Sequence, residues 1–290
     1  MKLLKRITAL LSAALLAAAF SPPVFARESC AAAELSKNGR IYADRINLVI
    51  DGREYGGEVY TVANTAYVAL RDFAAFAGDA DVSWDGSRSA ASVSAPSLSL
   101  EVCADSQVIE ANGRALWCEF GSFIMDGRMY VPVRQIAGAF GYGCRFSKPE
   151  FTAYLTRTSD AIEPGGVFYD PDELYWLSRI IEAEAGSEPF FGKLAVGSVI
   201  ANRVKSGEFP DTVVGVIFDS ANGVQFSPVA NGSINNTPSA DSVLAAKLTL
   251  EGVGVAGDAL YFLNQALAES FWIVNNCTYV MSVGGHDFYS

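Results

Sequence analysis

The sequence predicts an α+β chain: a β-rich, internally duplicated N-terminal domain, then a second domain that opens with helices. Three observations predict it. "INLVIDGREY" and "VSWDGSRSAASVS" are short β-branched runs broken by Asp-Gly, the chemistry of hairpin turns. "YVALRDFAAFAG" (67–78) returns as "YVPVRQIAGAFG" (130–141), at a constant offset of 63 residues. From Asp170 the apolar period becomes helical. The 290 residues are 50% hydrophobic and 12% aromatic, enough for two cores and against disorder over most of the chain.

Residues 1–26 read as a secretory signal peptide. Lys2, Lys5 and Arg6 precede the apolar run "ITALLSAALLAAAF", and "VFA" at 24–26 places small residues before a cleavage point after Ala26. The run is shorter than the ~20 residues that cross a bilayer, so no integral span is expected after cleavage. Losing three basic and no acidic residues takes the net charge from −11 to −14. An exported protein this acidic is a poor partner for nucleic acid or an anionic membrane surface. It must hold any anionic wall polymer by hydrogen bonds and stacking. Export permits disulfides. The spacings of Cys30, Cys103, Cys118, Cys144 and Cys277 fit no zinc pattern. Cys103–Cys118, in neighbouring strand-like segments, is the pair expected.

Residues 27–44 form a short polar, alanine-rich lead-in. Residues 45–157 hold the two repeat copies, each a strand, a short amphipathic helix and an aromatic strand, with Trp84 in one and Phe146 in the other. Residues 158–170 cluster Pro and Gly and read as a linker.

"DPDE" at 170–173 starts a helix: Asp170 caps it, Pro171 suits its first position, and Glu173 is placed for a capping box. Gly186 is the expected stop, giving a helix over 171–185. At about 100° per residue, Leu174, Leu177, Ile180, Ile181 and Ala185 share one apolar face, and Glu184 lies on it. Glu182 falls on the other side, as a solvated charge. Glu188, just before a second helix, is either an acid favoured by that helix's N-terminus or a substrate contact. Glu184 is the anomaly. A carboxylate on an apolar face either has its pKa raised, as a general acid for glycosidic cleavage requires, or reaches water from a frayed helix end.

His286 is the single histidine, which excludes a multi-histidine zinc site. Its expected role is to hold the C-terminal strand by hydrogen bonding. A Cys277/His286 peptidase lacks an activating environment in the sequence. No phosphate loop, G-x-S-x-G or dinucleotide fingerprint occurs.

With "NLVIDG", "YVPVR" and "VSWDG", residues 45–157 resemble the copper amine oxidase N-terminal domain family. The resemblance implies an accessory module, and with no histidine in this half no copper chemistry follows. Residues 171–290 resemble the SleB-type cell wall hydrolases, also called spore cortex-lytic enzymes. The motifs run in family order: "SRIIEAEAGSEPFFGKLAVGSVIANRVKSGEFPDTVVGVIF", "QFSPVANGSI", "ALYFLN", "SFWI" and "GGHDFY". The resemblance implies a lysozyme-like α+β catalytic domain. It also implies one essential glutamate in "EAxxEP", here Glu184, and cleavage of peptidoglycan glycan strands between N-acetylmuramic acid and N-acetylglucosamine as a lytic transglycosylase. Gln225, Ser227, Asn231 and Asn264 then offer hydrogen bonds to sugars, and Phe226, Tyr261 and Trp272 offer flat faces, though each aromatic suits a core equally well. Glu188 and His286 complete the expected substrate-binding set. No metal or cofactor is expected. A hydrolytic muramidase and an inert wall-binding protein are the alternatives. "QFSP" stands where many spore enzymes read "FTAV", so spore cortex and vegetative wall both stay open as substrates.

Overall fold

The structure is a computed structural model that describes residues 46–290 apart from 79, 222, 267, 269 and 270. The expected signal peptide, the lead-in and Cys30 lie outside the described residues.

Strands β1 (Asn47–Ile50) and β2 (Arg53–Glu54) open the N-terminal domain. The first repeat copy follows as a hairpin, β3 (Val59–Val62) and β4 (Thr65–Ala69), then helix α1 (Leu70–Ala77), then a hairpin of β5 (Asp81–Asp85) and β6 (Ala90–Ala95). Strands β7 (Leu98–Cys103), β8 (Val108–Ala111) and β9 (Arg114–Trp117) extend this hairpin into a five-stranded meander. The second copy repeats the plan: β10 (Phe123–Met125), β11 (Arg128–Pro132), helix α2 (Val133–Ala139), β12 (Tyr142–Ser147) and β13 (Thr152–Arg157). Strand β13 also pairs in parallel with β1.

The two copies meet at β4 and β11, which pair antiparallel with Val68 opposite Val131, Tyr67 opposite Pro132 and Ala69 opposite Tyr130. Val131 is the repeat equivalent of Val68, so a pseudo-twofold axis runs through that pair. Side chains alternate across a strand. Val68 and Val131 therefore face one core with Leu70 and Phe73 of α1 and Val133 and Ile136 of α2. Tyr67, Phe123 and Tyr130 form a smaller core on the other face. Both helices thus lie on the same side of the shared sheet.

The expected Cys103–Cys118 pair is not formed. Cys103 ends β7 and Cys118 follows β9, with β8 between these strands. Next-but-one strands lie about 10 Å apart, beyond the reach of a disulfide. Proximity in sequence misled because a meander inserts a strand between them.

The segment 158–170 is not a free linker. It contains helix α3 (Gly165–Phe168), and the Gly165 amide donates to the Asn112 carbonyl at 2.8 Å. Val108 and Ala115, from β8 and β9, share a core with the C-terminal helices.

Those helices are α4 (Pro171–Ala185), α5 (Phe190–Ser206), α6 (Val213–Ile217), α7 (Ser227–Asn231) and α8 (Ala240–Leu250), with a 3₁₀ turn at Ser233–Asn235. Strand β14 (Tyr261–Leu263), helix α9 (Trp272–Asn276) and strands β15 (Tyr279–Val283) and β16 (His286–Tyr289) complete the chain. The last sheet runs β14-β16-β15. Leu177, Ile180 and Ile181 of α4 pack with Leu194 and Ile200 of α5 and Ala245 and Leu248 of α8. Gly197 lets α5 and α8 approach: a Cβ there would lie 2.3 Å from Thr249 Oγ1.

Helix α4 begins and ends where its sequence predicts. Asp170 Oδ1 accepts from the Asp172 and Glu173 amides at 2.9 and 3.0 Å. The stop has another cause than the expected one. Gly186 is right-handed, not left-handed. Lys193 of α5, only 3% exposed, donates from Nζ to the Ala185 carbonyl at 2.7 Å and to that of Gly186. A cation there satisfies orphan carbonyls and opposes the negative end of the helix dipole.

Candidate active site

Glu184 sits in the last turn of α4, on the face that carries Leu177, Ile180 and Ile181. Burial raises its carboxyl to about 7, against the opposing pull of Arg203. It is the reverse of Glu182, which is not the solvated charge expected. Glu182 Oε2 accepts from the Ser239 amide at 3.0 Å, the Ser239 hydroxyl at 2.6 Å and the Ser242 hydroxyl at 2.7 Å. Burial raises its pKa, but these hydrogen bonds outweigh burial and hold it below the usual range. Glu182 is a tie to the start of α8.

Arg203 carries in the sequence the same signal as Glu184, a charge at apolar helical spacing. It follows Val196, Val199 and Ile200 on the buried face of α5 and is 5% exposed. Its Nε donates to the Leu260 carbonyl at 2.7 Å, while Nη1 is buried with no hydrogen-bond partner. Its guanidinium carbon lies 4.6 Å from the ring centre of Phe209, 5.2 Å from Phe226 and 5.5 Å from Tyr261. Burial lowers its pKa, against the pull of Tyr261, Asp219 and Glu184. The result is a cation held among aromatic rings with a spare donor.

The remaining expected residues divide. Phe226 is 2% exposed and packs towards Arg203 and Phe262, so it is core and not a sugar platform. Tyr261 is half-buried, and its ring centre lies 6.1 Å from that of Trp272, which is 56% exposed. Ser227 is exposed at the first position of α7, and Gln225 Nε2 donates to the Gly223 carbonyl at 3.2 Å. Asn231 Oδ1 accepts from the Ser233 amide at 2.9 Å, and Gly232 is left-handed, so this pair makes a turn.

Glu188, Asn264 and His286 gather around the β15–β16 turn. Glu188 Oε2 accepts from the Gly285 amide at 2.8 Å. A Cβ on Gly284 would lie 1.8 Å from that same oxygen, so the turn admits the carboxylate only because residue 284 is glycine. Asn264 Oδ1 accepts from the Ala266 amide at 3.0 Å. His286 Nδ1 has no hydrogen-bond partner and stands 3.7 Å from Glu188 Oε1. Packing against Phe262 and Phe288 places it, and burial lowers its pKa. The Glu188–Gly285 bond is what ties this hairpin to the start of α5.

Residues 187–289 match the family model described as Cell Wall Hydrolase. The C-terminal domain is a cell wall hydrolase domain. Residues 49–155 match the Copper amine oxidase N-terminal domain. The cell wall hydrolase match begins just past Glu184, but α4 shares one core with the matched helices. A spore cortex-lytic enzyme of Bacillus cereus is 35% identical over 120 residues, 41% of this chain and 45% of the relative. The spore cortex-lytic enzyme of Bacillus subtilis strain 168 is 33% identical over 140 residues, 47% of this chain and 44% of the relative. The chain thus spans less than half the length of these relatives. The catalytic domain of the germination-specific lytic transglycosylase SleB from Bacillus anthracis is 34% identical, with 44% of this chain and 100% of that one covered and a TM-score of 0.39. Among the described residues no helix is long and apolar enough to cross a membrane, and no group of three or more His, Cys, Asp or Glu could hold a metal ion.

Proposed function

We propose that the protein is an exported enzyme that cleaves peptidoglycan glycan strands as a lytic transglycosylase, with Glu184 as both acid and base. The observation that carries this reading is the Glu184 carboxyl, pushed by burial to about 7 beside a cell wall hydrolase domain. A carboxyl with that pKa is substantially protonated at neutral pH and can donate. Its proton passes to the oxygen linking C1 of N-acetylmuramic acid to N-acetylglucosamine, and the C1–O bond breaks. The resulting carboxylate takes the proton of the muramyl C6 hydroxyl, whose oxygen closes on C1. The product is a 1,6-anhydromuramyl end, and Glu184 is protonated again.

One carboxylate suffices for this cycle. Glu182 is committed to α8 and Glu188 to the Gly285 amide. Tyr261 and Trp272 supply flat faces, and Gln225 and Ser227 supply hydrogen bonds, for the sugars on either side. The substrate is cortex or vegetative wall peptidoglycan, reached through the signal peptide.

A hydrolytic muramidase would need a second carboxylate, and Asp219 is the one that acts on Arg203 together with Glu184. Digestion of purified peptidoglycan and cortex, read by mass spectrometry, separates the readings. Anhydromuramyl ends from the wild type, lost in Glu184→Gln and kept in Asp219→Asn, are the expected result. Reducing muramic ends that need both carboxylates would make the enzyme a hydrolase. No fragments from the wild type would leave a wall-binding protein.

A further inference from the structure

The duplication builds two grooves that the proposed reaction does not use. One, of about 380 Å³, lies where β4 runs into α1 and includes Arg71, Asp72, Trp84 and Arg128. The other, of about 320 Å³, lies where β11 runs into α2 and includes Arg134, Gln135, Phe146 and Thr65. They correspond residue by residue. Arg71 and Asp72 become Arg134 and Gln135 at the repeat offset, Thr65 becomes Arg128, and Trp84 becomes Phe146 one residue short of it.

Both aromatic side chains stand open to solvent, Trp84 at 46% and Phe146 at 42%. The core beneath is completed without them by Leu70, Phe73, Val133 and Ile136. Each groove sets its aromatic face beside an exposed arginine at the second position of a helix, with a planar amide or carboxylate next to it. In the first groove Arg128 Nη1, 3.2 Å from Asp72 Oδ2, orients that carboxylate. Beside the second, Phe151 meets Phe146 edge-on, ring centres 5.9 Å apart, and fixes the set of that ring.

We propose that these grooves bind a polymer of N-acetylated amino sugars, one ring against Trp84 and another against Phe146. A flat aromatic face matches the apolar face of a pyranose, and the planar polar groups match its hydroxyl and acetamido groups. Each groove has the volume for one sugar ring and falls in the usual range of small-molecule sites. A chain this acidic favours an occupant held by stacking and hydrogen bonds over one held by charge. Both grooves lie against helices on the same side of the shared sheet. The choice of polymer rests on the proposed function; the existence of the paired grooves does not.

The test uses the full chain carrying Glu184→Gln and glycan sacculi stripped of stem peptides, with co-sedimentation as the readout. Trp84→Ala and Phe146→Ala are each expected to weaken retention about tenfold, because losing one foot of a two-point contact removes its effective-concentration gain. The double variant should release further, and Trp84→Phe should hold. An unchanged thermal midpoint shows that each variant is folded. Retention of the double variant equal to its parent overturns the proposal. So does binding that needs these residues on intact peptidoglycan but fails on stripped glycan, since the occupant is then peptide. Wild-type digestion alongside separates the two ideas: groove-dependent retention without cleavage removes the proposed reaction and leaves the grooves, and cleavage with groove-independent retention does the reverse.

Discussion

Two clusters of buried charge divide the labour of this molecule. At the seam between the domains, the Arg114 and Glu251 side chains are 14% and 10% exposed. Arg114 Nε and Nη2 reach the two Glu251 oxygens at 2.8 and 2.6 Å, and the Tyr169 hydroxyl donates to Glu251 Oε1 at 2.7 Å. Tyr169 Oη in turn accepts from the Ala115 amide at 3.2 Å, and the Arg114 guanidinium lies 3.3 Å from the Phe168 ring centre. At the other cluster, Arg203 keeps a donor unpaired and Glu184 has its pKa raised by burial. Both clusters bear the cost of desolvation; the first recovers it in the bonds just described, whereas Arg203 bonds the Leu260 carbonyl through Nε and leaves Nη1 without a partner. Saturated buried charge holds two domains together, and unsaturated buried charge is poised for a ligand.

The largest effect should fall on the unsaturated cluster. In the proposed mechanism Glu184→Gln removes the proton donor and the base together, and glycan cleavage should drop by about a thousandfold or more, measured as anhydromuramyl product per unit time. The saturated cluster should respond in stability instead. Glu251→Ala strands Arg114 in the seam and should cost about 3 kcal/mol, read as a fall in the thermal midpoint. Removing Arg114 as well should recover part of that loss, because the stranded charge goes too. A double variant no better than the single would mean that Arg114 was never desolvated by the seam.

Much of this contrast was legible in the sequence, by one kind of argument. Helical periodicity gave α4 its bounds, its Asp170 cap and the misplaced carboxylate at 184, because each is local to fifteen residues. The repeat offset gave both copies of the N-terminal plan, and the Val68/Val131 pair realises that offset in space. What stayed hidden depended on distant partners. Glu182 looks solvated until Ser239 and Ser242 come in from α8, and Gly186 looks like the stop until Lys193 arrives from α5. Phe226 could be platform or core until Arg203 and Phe262 surround it. Arg203 was within reach, since a charge at Val196, Val199 and Ile200 spacing is the anomaly that exposed Glu184, moved to the next helix.

The unsaturated cluster should also weaken the fold that carries it. A carboxyl whose folded pKa is raised to about 7 binds its proton more tightly in the native state than when unfolded. Its contribution to stability is therefore fully present below the unfolded value and is lost as pH rises through about 7. Glu184→Gln removes the titration. The variant should be more stable than the wild type by roughly 2 kcal/mol at pH 8, and the gap should narrow towards pH 5. Denaturant midpoints of the two proteins at both pH values check this. A gap that does not change with pH would mean that Glu184 reaches water.

The subtlest expectation concerns how Arg203 and Glu184 set each other. Arg203 draws the Glu184 pKa down against burial, so removing the cation leaves burial unopposed. In Arg203→Met the acid should stay protonated to higher pH, and the alkaline limb of kcat/KM should move upward while the maximal rate falls. Arg203→Lys keeps a cation but loses the planar contact with Phe209, Phe226 and Tyr261, so its limb should stay near the wild-type position even if the rate falls. If Arg203 only fills space among these rings, Met and Lys will both lower stability and neither will move the limb. A limb that moves for Met and not for Lys makes Arg203 a positioning residue that acts through its charge.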